Sequence, residues 1–317
     1  VLTEIRIDRA EAFEPYGVYA RIRPWLSRRF DIQIGRVPPT FGAFGRGGYA
    51  TGNMLIGYPL AYQYLTSLRT DALPATTDDL LRMRGRGWLV TYPLGNAAAA
   101  PGVPVVSASR WDTGVQVHGV NGPVEWTGAI TTGSLSNPRV ADDNGGRQFA
   151  GRVILRPTPA FAVAVSAARG AFMSRTLQPV VTNGADINDS VQRAFGLDAE
   201  YSAGRFIGRG EVLWSQWTLP APFLDRPLKA ASVHGEARYR LIPGVHVAAR
   251  AEHLGFSAIT SGSRREEWDE PVTRYEVGAG WSVQRNVMIK ASWQRNLRDA
   301  GRVRHDSLGA AQLVYWF

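Results

Sequence analysis

The stretch "VTRYEVGAGWSVQRNVMIKASWQRN" (Val272–Asn296) reads as two ribbons joined at Gln284-Arg285-Asn286. One side of the first limb carries Tyr275, Val277, Ala279, Trp281 and Val283, and the other carries Arg274, Glu276, Gly278, Gly280 and Ser282. In the second limb Val287, Ile289, Ala291 and Trp293 alternate with Met288, Lys290, Ser292 and Gln294. A period of two on both sides of a tight turn is a β-hairpin signal.

The pattern recurs upstream. In Ala231–Phe256, Val233, Ala237, Tyr239, Leu241, Val245, Val247, Ala249 and Ala251 oppose His234, Glu236, Arg238, Arg240, His246, Arg250 and Glu252. In Ala194–Trp214, Phe195, Leu197, Ala199, Tyr201, Phe206, Val212 and Trp214 oppose Asp198, Glu200, Arg209 and Glu211. Further turns are expected at Pro157-Thr158-Pro159, at Leu26 to Arg29, and at Asn121-Gly122, whose Asn-Gly pair is a strong two-residue hairpin signal. Connections between hairpins, such as "GAFMSRTLQPVVTNGADINDSVQ" and "AITSGSRREEWDEP", are longer and polar. Limbs counted from Val1–Arg9 to Ser307–Phe317 number fourteen, or sixteen if the longest connection hides another hairpin. That connection runs from about Pro38 to Arg110; within it "PLAYQYLTSL" suits a short helix and "GWLVTYPL" one extra strand. A structureless loop of this length needs a task, and in a barrel the natural one is to fold into the lumen.

Composition narrows the class. With no cysteine there is no disulfide framework and no thiolate chemistry. No run of about 18 apolar residues is present, which excludes a transmembrane helix. The start "VLTEIRIDRAEAF" lacks the form of a secretory leader, so any leader is expected to have been removed. The net charge of +9 raises nucleic acid as a partner, but Lys229 and Lys290 are the only lysines and the arginines are interleaved with carboxylates. No basic run or helix forms an electrostatic footprint, so nucleic acid is not an expected partner.

A soluble sandwich also alternates, but its apolar face is packed with large aliphatics. Here that face is lean, with Gly128, Gly235, Ala237, Ala249, Ala251, Ala279 and Ala291 among the larger side chains. Such a face underfills a core, whereas lipid tails fill any gap. The opposite face repeats Arg and Glu, residues that are rarely buried unpaired, so it is expected to enclose a wet or salt-bridged interior. Trp111, Trp126, Trp214, Tyr239, Trp281 and Trp293 sit at limb ends, where interfacial girdles are found.

The chain ends on "AAQLVYWF", with Tyr315, Leu313, Ala311 and Gly309 at every second position before Phe317. A terminal Phe preceded in this way resembles the C-terminal signature of bacterial outer-membrane β-barrel proteins. With the hairpin pattern, nearly the whole chain resembles porin-like outer-membrane proteins of Gram-negative bacteria. The resemblance implies an all-β, transmembrane, antiparallel up-and-down barrel over 1–317, with short periplasmic turns and long extracellular loops. It implies a bacterial outer-membrane location, contact with lipid bilayer and lipopolysaccharide, and recognition of Phe317, Tyr315 and Leu313 by the barrel-assembly machinery. A homotrimer, or association with other envelope proteins, fits the same family.

The expected function is a porin-type channel for small hydrophilic solutes, with a non-conducting structural barrel as the alternative. Alternation makes Arg21, Arg23, Arg152, Arg209, Glu211, His234, Glu236, Arg238, His246, Arg250, Glu252, Arg274, Glu276 and Lys290 pore-lining candidates. The inward charges nearly balance in sign, so no strong ion preference is expected, although Arg21, Arg23, Arg36 and Arg46 hint at anionic solutes. His234 and His246 lie on adjacent limbs, but a metal site needs more converging ligands; no metal, cofactor or catalytic residue is assigned. There is no Gly-x-Ser-x-Gly elbow, "GRGGYATG" lacks the Lys-Ser/Thr ending of a phosphate loop, and "DDNGG" and "ADIND" read as solvated loop tips.

Overall fold

The computed structural model describes residues 2–8, 12–25, 29–44, 49–108, 111–181, 184–220, 226–298 and 304–316, with side chains from Gly17 onward. Fourteen strands form one antiparallel sheet: β1 (Leu2–Asp8), β2 (Ala12–Ile22), β3 (Phe30–Val37), β4 (Asp112–Asn121), β5 (Val124–Thr131), β6 (Gln148–Thr158) and β7 (Phe161–Ala171). It continues through β8 (Val191–Ala203), β9 (Phe206–Trp217), β10 (Leu228–Ile242), β11 (Val245–Phe256), β12 (Val272–Gln284), β13 (Val287–Arg298) and β14 (His305–Tyr315). Pairing follows chain order throughout, and among the described residues no ladder joins β14 to β1.

Turns of two residues join β4–β5, β6–β7, β8–β9, β10–β11 and β12–β13 at one end, while the long connections gather at the other. Two turns shift from their expected places. Pro123 has no N–H to give to a ladder, so Asn121 stays in β4 and Gly122-Pro123 turns the chain, Gly122 at φ +57°. Pro157 is absorbed by a register irregularity between Leu155 and Thr158, so β6 runs on to Thr158 and the turn falls at Pro159-Ala160.

The extra strand expected at "GWLVTYPL" does not join the sheet. Leu94–Gly95 pairs only with Ala72–Leu73, and Val90 makes an isolated bridge to Ala100. "PLAYQYLTSL" contributes a single helical turn, α1 (Leu60–Gln63). A helix not expected from the sequence, α2 (Thr77–Arg82), opens on a capping box: Thr76 Oγ1 accepts from Asp79 N, and Asp79 accepts from Thr76 N, at 3.2 and 3.1 Å. Thr76 followed by Asp79 is the spacing of that motif. The connection between β11 and β12 carries its own ribbon, Ala258–Ser261 with Arg264–Glu267.

Burial along the strands is inverted relative to a soluble protein. On β12, Tyr275, Val277 and Trp281 are 49–53% exposed, whereas Arg274 and Glu276 are each 1% exposed. On β13 and β14 Ile289, Trp293 and Leu313 are exposed while Lys290 is buried. An apolar exterior extending over successive strands is a bilayer surface. Aromatic residues rim its short-turn end, where Trp25, Phe30 and Trp126 stack in sequence with centroids 5.0 and 6.1 Å apart.

The large apolar cluster lies between the loops and the long connection after β3. Phe41, Leu60, Leu68, Leu80, Phe172, Leu177, Trp217 and Trp268 belong to it. Trp268 stacks edge-on against Phe256 and Trp217 at 4.8 and 5.9 Å. Arg69, fully buried within this cap, donates to Val90 O and pairs with Asp71, both at 2.9 Å, and so ties separate turns of the connection together.

Candidate functional site

The inward side chains are positioned by the register. Glu236, Arg250 and Glu276 oppose one another directly in one row across β10, β11 and β12, and Glu252 opposes Arg274 two residues along. Signs therefore alternate both across strands and along them. Arg250 reaches Glu236 at 3.5 Å, Glu252 at 3.1 Å and Glu276 at 2.5 Å, and Arg274 Nε donates to Glu252 at 2.6 Å. All five side chains are buried, a state charges tolerate only when paired and hydrogen-bonded.

This ladder grips the connection after β3. Gly57 N donates to Glu276 Oε1 at 3.1 Å, and Gly57 O accepts from Arg250 Nη2 at 2.7 Å. A Cβ at Gly57 would stand 2.9 Å from Glu276 Oε2, so a larger residue would push that carboxylate aside. Tyr58 O accepts from Arg274, and Leu60 N donates to Glu252 at 2.5 Å. Lys290 on β13 donates to Ala50 O and Asn53 O. On other strands Gln116 of β4 donates to Thr40 Oγ1 at 2.7 Å, and Gly42 N donates to Ser166 Oγ of β7 at 3.2 Å. Glu211 of β9 accepts from Ala43 N at 2.7 Å and from the Tyr62 hydroxyl at 2.8 Å. One segment touching the same face of strands from β4 to β13 means that the sheet curls around it.

Removal of the Glu211 carboxylate leaves the buried Tyr62 hydroxyl and the Ala43 N–H without this acceptor. Glu211→Ala is therefore expected to destabilise the fold by about 2 kcal/mol, read as a lower urea midpoint for loss of heat-modifiable migration. Glu211→Gln, which retains an acceptor, is expected to recover part of it.

The remaining candidates fall into smaller groups. Arg152 on β6 reaches across the small inward residues of β7 to Asp198 on β8, making two hydrogen bonds of 2.7 and 2.8 Å. Arg209 pairs with Glu200 at 2.6 Å and approaches Glu236 at 3.7 Å, with Arg238 half-buried nearby. Arg21 pairs with buried Asp31 at 2.5 Å, whereas Arg23 lies beyond the end of β2, exposed. Arg36 is buried and donates to Trp111 O at 3.1 Å. Its expected neighbour Arg46 lies outside the described residues, as does Phe317 of the assembly signal; Tyr315 and Leu313 point outward, exposed.

The two inward histidines do not meet. His234 is opposed by Glu252 and lies 3.8 Å from Glu211, while His246 is opposed by Arg240. Six ladder positions, or about 20 Å, separate their rows. Among the described residues no group of three or more potential ligands is placed to hold a metal ion.

Between the segment and the wall from β5 to β10 lies a cavity of about 350 Å³. Gly42, Ala43, Phe44 and Gly52 line one side. Glu125, Asp198, Glu200, Glu211 and Glu236, with Arg152, Arg156, Arg209 and His234, line the rest.

Solved structures similar in fold include outer-membrane proteins. A loop-deletion form of OmpT, an outer membrane protein of Vibrio cholerae, matches at TM-score 0.62 and 12% identity, covering 99% of this chain and 84% of that one. The trimer form of in-vitro folded OmpT from the same organism matches at TM-score 0.57 and 10% identity, covering 99% and 85%. The fold is that of the bacterial outer-membrane barrels. No protein-family model matches the sequence, and no curated protein matches it. The likeness therefore lies in the fold.

Proposed function

We propose that the sheet closes into a fourteen-stranded barrel in the outer membrane, with long loops outside and short turns in the periplasm. In this reading the barrel is a channel through which small hydrophilic solutes diffuse passively, and residues 41–44 and 49–64 form its constriction. The observation that carries the reading is the charged cavity of about 350 Å³ beside that segment, a volume suited to small polar molecules. A homotrimer and assembly by recognition of the C-terminal strand complete it; one of the similar structures is described as a trimer form. No chemical turnover is proposed, so the purified barrel is expected to leave phospholipid and ester probes intact.

The test is conductance in planar bilayers, where stepwise openings are expected. Five carboxylates and three guanidinium groups line the cavity. The potassium-to-chloride permeability ratio is expected to exceed one at 0.1 M KCl and to approach the bulk ratio at about 1 M, where the screening length falls to roughly 3 Å. Glu125→Gln is expected to lower it. A preference for chloride would reject this assignment of the lining charges.

The non-conducting alternative draws on a specific feature. Phe41, Leu60, Tyr62, Phe172, Trp217 and Trp268 form an apolar cluster at the loop end of the interior. A folded barrel silent in the bilayer would favour a scaffold whose loops dock other envelope components.

A further inference from the structure

Towards the short-turn end of the inner wall the alternation of signs stops. After the row of Glu236, Arg250 and Glu276, the next inward row holds Arg238, Ala248, Gly278 and Ser292. The one beyond it holds Arg240, His246, Gly280, Lys290 and Gln312. Neither contains a carboxylate. Those of the preceding row are engaged: Glu200 with Arg209 at 2.6 Å, Glu236 with Arg209 and Arg250 at 3.7 and 3.5 Å, and Glu276 with Arg250 at 2.5 Å. Among the described residues no carboxylate pairs with Arg238, Arg240 or Lys290, and the guanidinium groups of Arg238 and Arg240 donate to no protein acceptor.

Three of these groups converge. Lys290 is 2% exposed, and its ammonium donates to Ala50 O and Asn53 O, which offset none of its charge. His246 is 8% exposed; the Met54 backbone bonds one ring nitrogen, and Nε2 has no partner among the described residues. A Cβ at Gly280 would stand 2.6 Å from that Nε2, so the ring leans from β11 over β12, towards the strand of Lys290. Arg238, half-buried in the adjoining row, acts by charge on both His246 and Lys290, and Arg209 and Arg240 act on it in turn. Like charges gathered at a partly buried wall are costly unless an opposite charge joins them.

A guanidinium presents its N–H groups as a fork that fits two oxygens of a tetrahedral anion. The open Nε2 supplies a further direction, and the three positive charges of Arg238, Arg240 and Lys290 favour a dianion over a monocarboxylate. We propose that Arg238, His246 and Lys290, flanked by Arg240, form a binding site for a phosphate group, either free or at the head of a small phosphate monoester. Arg238 grips two of its oxygens, the His246 Nε2–H donates to a third, and Lys290 and Arg240 balance its charge. Because Lys290 holds Ala50 and Asn53 and His246 holds Met54, the bound group also fastens the inner segment to the wall. None of these four side chains lines the cavity beside β5–β10, and the site does not rest on conduction.

The test uses the full chain in detergent, as wild type, R238Q and R285Q, the last removing an exposed arginine of the β12–β13 turn. Each is titrated calorimetrically with inorganic phosphate, glycerol 3-phosphate or acetate at one ionic strength. Wild type is expected to bind a phosphate group at least about tenfold more tightly than acetate, and R238Q to lose about tenfold, as for one charge-assisted contact. R285Q is expected to bind like wild type. Phosphate is also expected to raise the temperature at which the compact band is lost in wild type and not in R238Q. If R238Q does not fold, R240Q at its exposed position takes its place, with about threefold weakening expected. Tighter binding of glycerol 3-phosphate would assign the group to an organic monoester, and tighter binding of inorganic phosphate to the free anion. Equal affinity for phosphate and acetate, equal affinity of wild type and R238Q, or a loss in R285Q as large as in R238Q would overturn the site. Conductance separates it from the channel: a silent barrel that binds phosphate rejects only the channel, and a conducting barrel that binds none rejects only the site.

Discussion

Arg250→Met is expected to destabilise the folded barrel by about 3–5 kcal/mol, the range for removing one partner from a buried ionic cluster. The guanidinium lies among three buried carboxylates, Glu236, Glu252 and Glu276, and also donates to Gly57 O. Met is close in length and fills the space, so the loss is electrostatic. Glu252 then keeps Arg274 and Glu236 its longer approach to Arg209, while Glu276 keeps only the Gly57 N–H among these contacts. The checks are the urea midpoint and the temperature at which the compact band is lost on a gel. The double variant Arg250→Met/Glu276→Gln is expected to be more stable than the single one, because it also removes a stranded charge, and this non-additivity measures the coupling. Equal stability of wild type and Arg250→Met would mean that the ladder does not hold the wall. A second readout concerns the segment. With Gly57 released from Arg250, the constriction of the proposed channel is expected to loosen, giving larger and noisier openings.

Asp269→Ala is expected to be comparably damaging, at about 3–5 kcal/mol, but its effect is confined to the cap. Fully buried in the connection between β11 and β12, Asp269 accepts from Ser67 N at 2.6 Å, Gly85 N at 2.9 Å, Glu270 N at 2.8 Å and the Tyr64 hydroxyl at 3.3 Å. Three of these donors belong to the connection after β3, so this carboxylate joins two loops far apart in the chain, beside the Arg84–Glu266 pair at 2.8 Å. Alanine leaves those donors without it, at roughly 1 kcal/mol or more for each. Limited proteolysis is expected to cut between residues 65 and 92 in the variant and not in wild type, and amide exchange to accelerate at Ser67 and Gly85. A protection pattern like that of wild type would remove Asp269 from the list of cap supports.

The same residue gives a pH dependence. Burial pushes the Asp269 carboxyl above the usual 3.8, against the pull of its donors. A carboxyl whose folded value is raised contributes stability that is fully present below 3.8 and is lost as pH rises through the raised value. Cap protection is therefore expected to fall as pH rises through that window in wild type. Asp269→Asn, which cannot titrate, is expected to flatten the dependence. A profile unchanged by this substitution would assign the titration to another group.

Much of the interior could be read before any coordinate. Arg274 and Glu276 on one limb and Arg250 and Glu252 on the next are separated by two, and a strand sends every second side chain to one face. That arithmetic placed them inward together. It failed at Gly122 and Thr158, where prolines moved the turns, and at "GWLVTYPL", where Val90 and Tyr92 are buried in the cap while Trp88 and Leu89 are exposed. It also overlooked α2, although Thr76 and Asp79 carry the capping-box spacing. The gripping of Gly57, Tyr58 and Leu60 had no such signal. Their backbone N–H and C=O groups do the binding, and these are the same at every position apart from proline.

What the sequence determined by itself was the two-faced strand, the order of the hairpins, and the separation of short turns from long loops. These follow from local rules: a pleat of period two, and glycine and proline at the reversals. Only the tertiary structure decided which part of the long connection, residues 41–44 and 49–64, lies inside the curl of the sheet, that His234 and His246 remain apart, and that Arg169, Arg193 and Lys229 share one outward row. Each depends on register between strands and on contacts between residues far apart in the chain. The alternation along a single strand fixes which face a side chain takes, but not the height at which it meets its neighbours.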